Sequence, residues 1–299
     1  MSRNLADALI DLGKGNHAWK FHGGSGASHN NQIQAQGSKL EEIVKDILSG
    51  VDSSKISSRE KLHTQYLAHE GEANNPPDAM YRGGDKGDAF EIKKIDSPTK
   101  TSLELNSSYP YSYLTSDMKR LTENARTCEK WTRRDLFYAI GNIQWGRQTG
   151  NWLWFVEGGT FAQDAAFYDK IESDLKPAIT TALKANNLMP SPTNELGRAN
   201  QLDLLKRTNL RVRGMWIVDN PTRTFADLKG ANEKPSYHFV AHTLLKKSKW
   251  EALLKDMDSK ESELQRLVSP NFQISDVQVD DPNIANQKLS CKLIRIEIK

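Results

Sequence analysis

The stretch NNPPDAMYRGGDKGDAFEIKK, residues 74–94, decides how the middle of this chain folds. Its two consecutive prolines stop a preceding helix, because proline lacks an N–H donor and favours extended geometry in the residue before it. The glycine-rich run at 83–87 is typical of a tight turn, and it lies between two short extended pieces, 78–82 and 88–95. The stretch therefore predicts a β-hairpin.

The second hairpin strand carries charges in an alternating pattern. Side chains two residues apart lie on the same face of a strand, so Glu91 and Lys93 are predicted to share a face, with Asp78 brought beside them by the turn. Asp88 is predicted to face the other way and remains the fallback carboxylate, and Asp85 in the turn is a weaker alternative. Two carboxylates and one ammonium group at one point suit a divalent cation such as Mg²⁺ and the hydrolysis of a phosphodiester.

The same pattern also arises by chance on a solvated strand, which is the alternative to a catalytic site. The chain contains a second such pattern in Asp281, Glu297 and Lys299, which we interpret as a solvated strand end because nothing follows it to build a site. Glu70 and Glu72 are predicted near the end of the preceding helix. They are candidates for an outer carboxylate, although solvated charges are the more common situation there.

The rest of the chain predicts an α/β fold with a mixed central sheet flanked by helices. Apolar spacing predicts helices at 38–48, 59–68, 118–129, 161–186 with a break near Pro177, and 248–267. Short apolar runs predict strands at 136–143, 152–156, 209–218 and 289–298, with 236–245 either strand or helix. Residues 22–38 are rich in Gly, Ser, Asn and Gln and predict a mobile loop.

Composition excludes several classes of protein. The 299 residues contain 41 Lys and Arg against 38 Asp and Glu, a net charge of +3, so any surface for a polyanion must be local. No apolar run approaches the ~18 residues of a membrane span, and the N-terminus lacks the apolar centre of a secretory signal. We therefore expect a cytoplasmic protein with no membrane partner.

Cysteine and histidine placement does not indicate a structural metal site. Cys128 and Cys291 are too few and too far apart for a disulfide framework or a zinc knuckle. His238 and His242 are four residues apart, but Phe239 stands where a zinc-dependent protease helix has glutamate. We expect these histidines in the core or on the surface.

Two segments, 119–134 and 198–213, are locally basic and suit contacts with phosphates. Arginine also pairs with guanine in the major groove. The first candidates for that role are Arg211 and Arg213, which are predicted to share a strand face, followed by Arg133 and Arg134. A solvated basic face or structural ion pairs is the alternative for each of them.

A short polar segment closely follows the hairpin. Asn106, Ser107 and Ser108 are candidates for hydrogen bonds to a backbone phosphate, or else they form a turn with local side-chain caps.

The run NNPPDAMYRGGDKGDAFEIKKIDSPTKTSLELNSSYP, residues 74–110, resembles type II restriction endonucleases of the PD-(D/E)xK nuclease superfamily. It is most similar to the subgroup that cuts GC-rich palindromes of the GGCC or GGNCC kind. Three later blocks are also similar: WTRRDLFYAIGNI (131–143), WLWFVEGG (152–159), and TNELGR with NLRVRGMWIVDNPTRTF (193–225). The likeness covers about residues 70–225 and little of either end.

The resemblance implies the PD-(D/E)xK core fold and a role for each hairpin residue. Asp78 takes the place of the Pro-Asp carboxylate, Glu91 the acidic position of the ExK element and Lys93 its lysine. Asp78, Glu91 and the backbone carbonyl of Ile92 are expected to hold Mg²⁺, while Lys93 positions or activates a water. The water attacks in line and leaves a 5′-phosphate and a 3′-hydroxyl.

The resemblance also implies partners. We expect a Mg²⁺-dependent, sequence-specific endonuclease acting on double-stranded DNA in a bacterial restriction–modification system, as a homodimer paired with a DNA methyltransferase. Mn²⁺ is expected to substitute for Mg²⁺, and Ca²⁺ to bind without supporting cleavage. We expect one domain over residues 1–299: a helical or flexible segment to about 58, a catalytic core at about 59–190, and a C-terminal elaboration for DNA recognition at about 191–299.

Three other functions fit the same residues. One is a repair or recombination endonuclease that selects DNA structure rather than sequence. Another is a DNA-binding protein without catalysis, in which the hairpin charges are an ordinary surface. The third is a carbohydrate or nucleotide hydrolase that uses the same carboxylates.

Overall fold

A computed structural model describes residues 3–17, 29–71, 75–95, 100–105, 109–118, 120–142, 151–231, 239–255 and 258–298. The helices of this part are α1 (Leu5–Gly13), α2 (His29–Ser49), α3 (Arg59–Tyr66), α4 (Glu123–Thr127), α5 (Ala165–Ala185), α6 (Pro221–Thr224), α7 (Lys247–Leu254) and α8 (Asp258–Leu267). None of the helices in these ranges is long and apolar enough to cross a membrane.

The strands bring distant parts of the chain into one mixed sheet. They are β1 (Leu67–Glu70), β2 (Ala79–Tyr81), β3 (Ala89–Lys94), β4 (Ser102–Leu105), β5 (Tyr113–Thr115), β6 (Arg133–Asn142), β7 (Asn151–Glu157), β8 (Gly197–Ala199), β9 (Leu210–Val212), β10 (Trp216–Asp219), β11 (Phe239–Lys246), β12 (Phe272–Asp280) and β13 (Lys288–Ile298). The main sheet has the order β1-β2-β3-β6-β7-β11-β13-β12, with β5 also paired to β6. The fold class is therefore mixed α/β, with a central mixed sheet flanked by helices.

Two pairs in this sheet are parallel, β3 with β6 and β7 with β11, and the other pairs are antiparallel. The predicted hairpin is confirmed, since Ala79 pairs with Phe90 and Met80 with Ala89. Two small sheets lie outside the main one, formed by β4 with β10 and by β8 with β9.

Several helix predictions need correction. Helix α2 begins at His29, inside the segment predicted to be a loop, and residues 22–28 of that segment lie outside the described residues. The helix predicted over 118–129 is limited to α4. The predicted break near Pro177 is wrong, because α5 continues through it. Pro177 is exposed, so the carbonyl that loses its helical N–H partner can be hydrated, and a proline there is tolerated.

The strand predictions also changed in detail. The strand predicted over 209–218 is two separate strands, β9 and β10, and the segment 236–245 is resolved as a strand, β11. Strand β12 was not predicted. Its apolar residues change face midway, with Phe272 and Ile274 packing on one side of the sheet and Val277 and Val279 on the other, so the period of two is broken.

The sheet separates two apolar clusters. On the face that we call the first face, Phe90 and Ile92 pack in a cluster with residues of α1, α2, α7 and α8. On the second face, Ala89 packs in a cluster with residues of β4, β5, α4 and α5. Because side chains alternate along a strand, Glu91 and Lys93 have the same orientation as Ala89 and face the second side.

A buried arginine braces the hairpin at its turn. Arg134 has no exposed surface; its Nη1 donates to the carbonyls of Tyr81, at 2.6 Å, and Gly87, at 3.2 Å, and its Nη2 pairs with Glu129. Gly87 lies so close to the first strand that a Cβ there would be 2.3 Å from the Tyr81 carbonyl oxygen. Arg134 thus ties both hairpin strands to β6, and its predicted contact with DNA is wrong because no part of it reaches the surface.

Candidate active site

The structure brings the three predicted hairpin residues together. The Nζ of Lys93 lies 2.6 Å from Glu91 Oε1 and 3.9 Å from Asp78 Oδ2. The same Asp78 oxygen accepts a hydrogen bond from the backbone N–H of Ile92 at 2.6 Å. One ammonium group and two carboxylates therefore meet beside β3.

Backbone pairing on both sides fixes the position of Asp78. Its N–H donates to the Phe90 carbonyl at 2.9 Å, and its own carbonyl accepts from the Gly71 N–H at 2.7 Å. A Cβ on Gly71 would come within 2.6 Å of the Asp78 Cα, so only glycine allows this approach. Asp78 is thus held in line with the sheet, although it precedes β2.

Burial sets the electrostatics of the site. Glu91 is 4% exposed, and burial raises its pKa to about 7 in spite of Lys93. Burial would lower the pKa of Lys93, but the charges of Glu91 and Asp78 outweigh it and hold that pKa above its usual value. Lys93 is therefore an ammonium ion at neutral pH, suited to stabilising negative charge.

Part of this site has an unsatisfied acceptor. Glu91 Oε2 is buried and has no hydrogen-bond partner within the described ranges, while Oε1 is taken by Lys93. In an extended strand the N–H and carbonyl of one residue point to the same side, so the Ile92 carbonyl points to the side on which Asp78 binds the Ile92 N–H. Among the described residues, no group of three His, Cys, Asp or Glu side chains is close enough to hold a metal ion.

A further carboxylate was missed by sequence analysis. Glu41 on α2 is partly buried, and its pKa is raised first by burial and then by the charge of Asp78, while Lys93 lowers it. It therefore lies within electrostatic reach of the site. The sequence offered only a weak signal, a glutamate beside the apolar face of the helix, which is ordinary for an amphipathic helix.

The two alternative carboxylates, Asp88 and Asp85, bind other partners. Asp88 is 1% exposed and its Oδ1 lies 2.5 Å from Lys249 Nζ, which is also 2.7 Å from Asp135 Oδ2. Burial raises the pKa of Asp88 to about 6, although Lys249 lowers it. Asp85 accepts the backbone N–H groups of residues 132 and 133. The structure thus separates both from Glu91.

Glu70, a candidate for an outer carboxylate, lies on a strand and not at the end of a helix as predicted. Glu70 ends β1 rather than a helix, and its Oε2 lies 3.8 Å from Lys45 Nζ and 3.7 Å from His63 Nδ1. Glu72 lies outside the described residues, as do Asn106, Ser107 and Ser108.

The two arginines first predicted to read bases share one partner. Arg211 Nη2 and Arg213 Nε each donate to Glu195 Oε1 at 2.5 Å, and both side chains are at least half exposed. Hydrogen bonds from Arg211 and Arg213 lower the pKa of Glu195 to about 2. Glu195 was not singled out from the sequence, because it lies far along the chain from both arginines.

Arg133 lies at the surface, whereas His242 lies in the core. Arg133 is exposed, and its guanidinium carbon lies 3.7 Å from the centre of the Tyr113 ring. His242 is 3% exposed and stacks on Trp154 with 4.4 Å between ring centres, as expected of a core histidine. His238 lies outside the described residues. Cys128 and Cys291 are both free.

Comparison with known proteins places this geometry in a family. A family model described as NgoPII restriction endonuclease matches residues 14–280. The type II restriction enzyme NgoPII of Neisseria gonorrhoeae is 33% identical over 291 residues, which cover 97% of this chain and 98% of that protein. No solved structure gives a significant match. Both matches extend over most of the chain, well beyond the hairpin. The chain therefore belongs to the NgoPII restriction endonuclease family and is a type II restriction enzyme.

Proposed function

We propose that this enzyme uses Mg²⁺ to cut both strands of DNA at a short GC-rich palindrome and leaves 5′-phosphate ends. The observation that carries the proposal is the convergence of Asp78, Glu91 and Lys93 beside β3. This chemistry is the one that two carboxylates and a lysine at one point serve best. Membership in a restriction endonuclease family supports DNA as the substrate.

The residues present fit a magnesium ion. Asp78, Glu91 through its unpaired Oε2, and the Ile92 carbonyl would hold it. Two carboxylates are few for a protein site, but Mg²⁺ keeps several waters and often takes substrate phosphate oxygens as ligands. When bound, the ion would neutralise charge on the phosphate and lower the pKa of a bound water.

The protein side chains have distinct tasks in the cleavage. A water oxygen forms a bond to phosphorus and gives up a proton to bulk water, while the bond from phosphorus to the 3′-oxygen breaks and that oxygen takes a proton from bulk water. The products carry a 5′-phosphate and a 3′-hydroxyl. Lys93 keeps its proton at Nζ, because Glu91 and Asp78 raise its pKa, so it orients the water and stabilises the negative charge that develops on the phosphate. Asp78 in turn is oriented by the Ile92 N–H.

The exposed arginines are the candidates for recognising the DNA target sequence. Arg211 and Arg213 are candidates for reading guanine, since their guanidinium groups are held side by side on Glu195. Arg133 is a candidate for a phosphate contact. The GGCC or GGNCC kind of site follows from the sequence resemblance alone. A palindrome is read most simply by a two-fold homodimer, and its host would protect the site with a methyltransferase.

Digestion of a phage genome with Mg²⁺, followed by sequencing of the fragment ends, tests the proposal. We expect discrete fragments whose ends share one GC-rich palindrome and carry 5′-phosphates. A smear, or cutting only at branched DNA, would instead favour a structure-selective nuclease. Binding without cleavage in both Mg²⁺ and Mn²⁺ would favour a DNA-binding protein without catalysis.

Site variants test the residue roles. Asp78→Asn, Glu91→Gln and Lys93→Met should each slow cleavage by at least about 100-fold, while a gel-shift in Ca²⁺ still detects DNA binding. Asp281→Asn is a matched control, because Asp281 belongs to the similar C-terminal pattern and caps a turn through the Asn283 N–H. A D78N variant that cuts at the wild-type rate would overturn the assignment.

A further inference from the structure

The loop that joins β8 and β9, residues 200–209, exposes two leucines at its end. We call this loop the β8–β9 tip. Leu204 is fully exposed and Leu205 is 70% exposed. Two neighbouring leucines held in water forgo the stabilisation that burial of their side chains would give. Such a pair indicates a surface that is buried when a partner binds.

The tip is ordered by its own hydrogen bonds. The carboxylate of Asp203 accepts the backbone N–H groups of Leu205, Arg207 and Thr208 at 2.8, 3.1 and 2.5 Å. The Lys206 N–H donates to the Asp203 carbonyl at 2.8 Å. A hydrogen bond from the Thr208 side chain, together with the backbone N–H groups at the carboxylate, lowers the pKa of Asp203, so it stays ionised. The leucines are therefore presented in a fixed position, which reduces the entropy lost when a partner binds.

The surroundings of the tip are basic. Lys206 and Arg207 lie in the tip itself, and Arg198 and Arg211 face each other across the strands that carry it, with Arg211 paired to Glu195. The one acidic side chain of the tip, Asp203, is occupied with backbone N–H groups. This charge is complementary to a polyanion. A symmetric contact between two copies of the tip would instead bring like charges together.

The strands that carry the tip pack on a helix that reaches the second face of the sheet. Strand β8 packs on α5, where a Cβ on Gly197 would be 2.5 Å from a methyl group of Ile179. Helix α5 contributes Tyr168 to the cluster on the second face, the face to which Glu91 and Lys93 point. Helix α5 therefore connects the strands that carry the tip to the face toward which Glu91 and Lys93 point.

We propose that the β8–β9 tip enters a groove of the DNA and inserts Leu204 and Leu205 at one base step, which unstacks that step. Leucine is one of the residues that serve as apolar wedges in DNA-bending proteins, where the cost of unstacking is offset by added contacts. Lys206 and Arg207 contact the phosphates on either side. The inference rests on the proposed function, because it takes DNA as the substrate.

Fluorescent base analogues placed one at a time test the wedge, with 2-aminopurine for adenine and pyrrolo-cytosine for cytosine. The duplex carries the sequence found at the fragment ends, and Ca²⁺ replaces Mg²⁺. Wild-type enzyme should raise the fluorescence at one step. The double variant Leu204→Ser, Leu205→Ser should abolish that rise and weaken binding at least about tenfold, because it removes the apolar surface that the DNA would bury. Ile284→Ser, which alters a 52% exposed apolar residue outside the tip, should behave as wild type.

Three outcomes would overturn the wedge. They are no rise at any step with wild-type enzyme, the same rise with the double variant, and loss of self-association in the double variant measured by analytical ultracentrifugation. The last would make the tip a contact between two copies of the chain. Thermal melting checks that the variants fold. If wild-type enzyme fails to cut DNA in Mg²⁺, the proposed function fails, whereas cutting without the fluorescence change contradicts only the wedge.

Discussion

Replacing Lys249 with methionine should destabilise the protein through Asp88. The ammonium group of Lys249 lies 2.5 Å from Asp88 Oδ1 and 2.7 Å from Asp135 Oδ2, and Asp88 is 1% exposed. Methionine keeps most of the aliphatic length of lysine but removes the charge. Asp88 must then either stay ionised without a partner in the interior or bind a proton.

The magnitude has two parts. With Lys249 present the pKa of Asp88 is about 6, so at pH 7 the folded state with Asp88 ionised lies about 1.4 kcal/mol below the folded state with Asp88 protonated. Loss of hydrogen bonds between charged groups adds about 1.5–3 kcal/mol. The variant should therefore lose about 3–4 kcal/mol at pH 7, a large share of the roughly 5–15 kcal/mol that stabilise most proteins.

Urea unfolding of the wild type, Lys249→Met, Asp88→Asn and the double variant measures this cost. Above pH 6 the wild type releases the Asp88 proton and the variant keeps it, so the difference between them should shrink by about 1.4 kcal/mol between pH 7 and pH 5. The double variant should be more stable than Lys249→Met. A cost under about 1 kcal/mol at pH 7, or a double variant no better than the single one, would refute the reasoning.

The same series also tests the assignment of the first carboxylate. Asp88→Asn should still cut DNA at a temperature where it is folded, because the Asp88 carboxylate is held by Lys249 and not by Lys93. An inactive but folded Asp88→Asn variant, beside an active Asp78→Asn variant, would exchange the two roles.

Other perturbations have separate outcomes. Burial lowers the pKa of His242 to about 4, so below pH 6.5 the unfolded chain binds a proton that the folded protein does not bind. The free energy of unfolding should therefore fall by up to about 3 kcal/mol between pH 6.5 and pH 4. Urea unfolding should show a flatter pH profile for His242→Phe, and an unchanged profile would contradict this. Arg134→Met should cost about 3–5 kcal/mol in thermal unfolding, because it removes the donor to the Tyr81 and Gly87 carbonyls and the cation paired with Glu129, which then keeps only the N–H groups of Gly83 and Gly84; a loss below 1 kcal/mol would assign Arg134 no bracing role. Glu195→Gln should tighten binding to non-specific DNA and steepen its salt dependence by up to about one counterion, measured by filter binding; an unchanged slope would mean that Arg211 and Arg213 do not meet phosphates.

The sequence was sufficient for the local part of the site. Glycine at the turn, proline before it and alternation along β3 involve only neighbouring residues, so the pairing of Asp78 with Glu91 and Lys93 followed from short-range rules. Glu41 reaches the same site from a helix some 37 residues upstream of Asp78. Only the packing of α2 on the sheet places it there, and no local pattern carries that information.

Charge runs were the least informative signal. Arg133 and Arg134 are adjacent in a basic segment, yet one is exposed over Tyr113 and the other has no exposed surface. Alternation along β6 requires that one of the two face inward, but it does not say which one. The choice depends on the hairpin carbonyls and on Glu129, which accept the hydrogen bonds of Arg134.

Strand β3 carries the charged residues of the candidate active site on one face and apolar residues on the other, so assembly of that site depends on correct folding. A slip of one residue turns every side chain of a strand to the opposite side. A misregistered β3 would drive Glu91 and Lys93 among the leucines of α1 and α2 and turn Phe90 and Ile92 toward the second face, away from the cluster in which they pack. Such a chain would be both unstable and unable to assemble its carboxylates. A newly made polypeptide would therefore assemble its candidate active site only together with a properly aligned sheet.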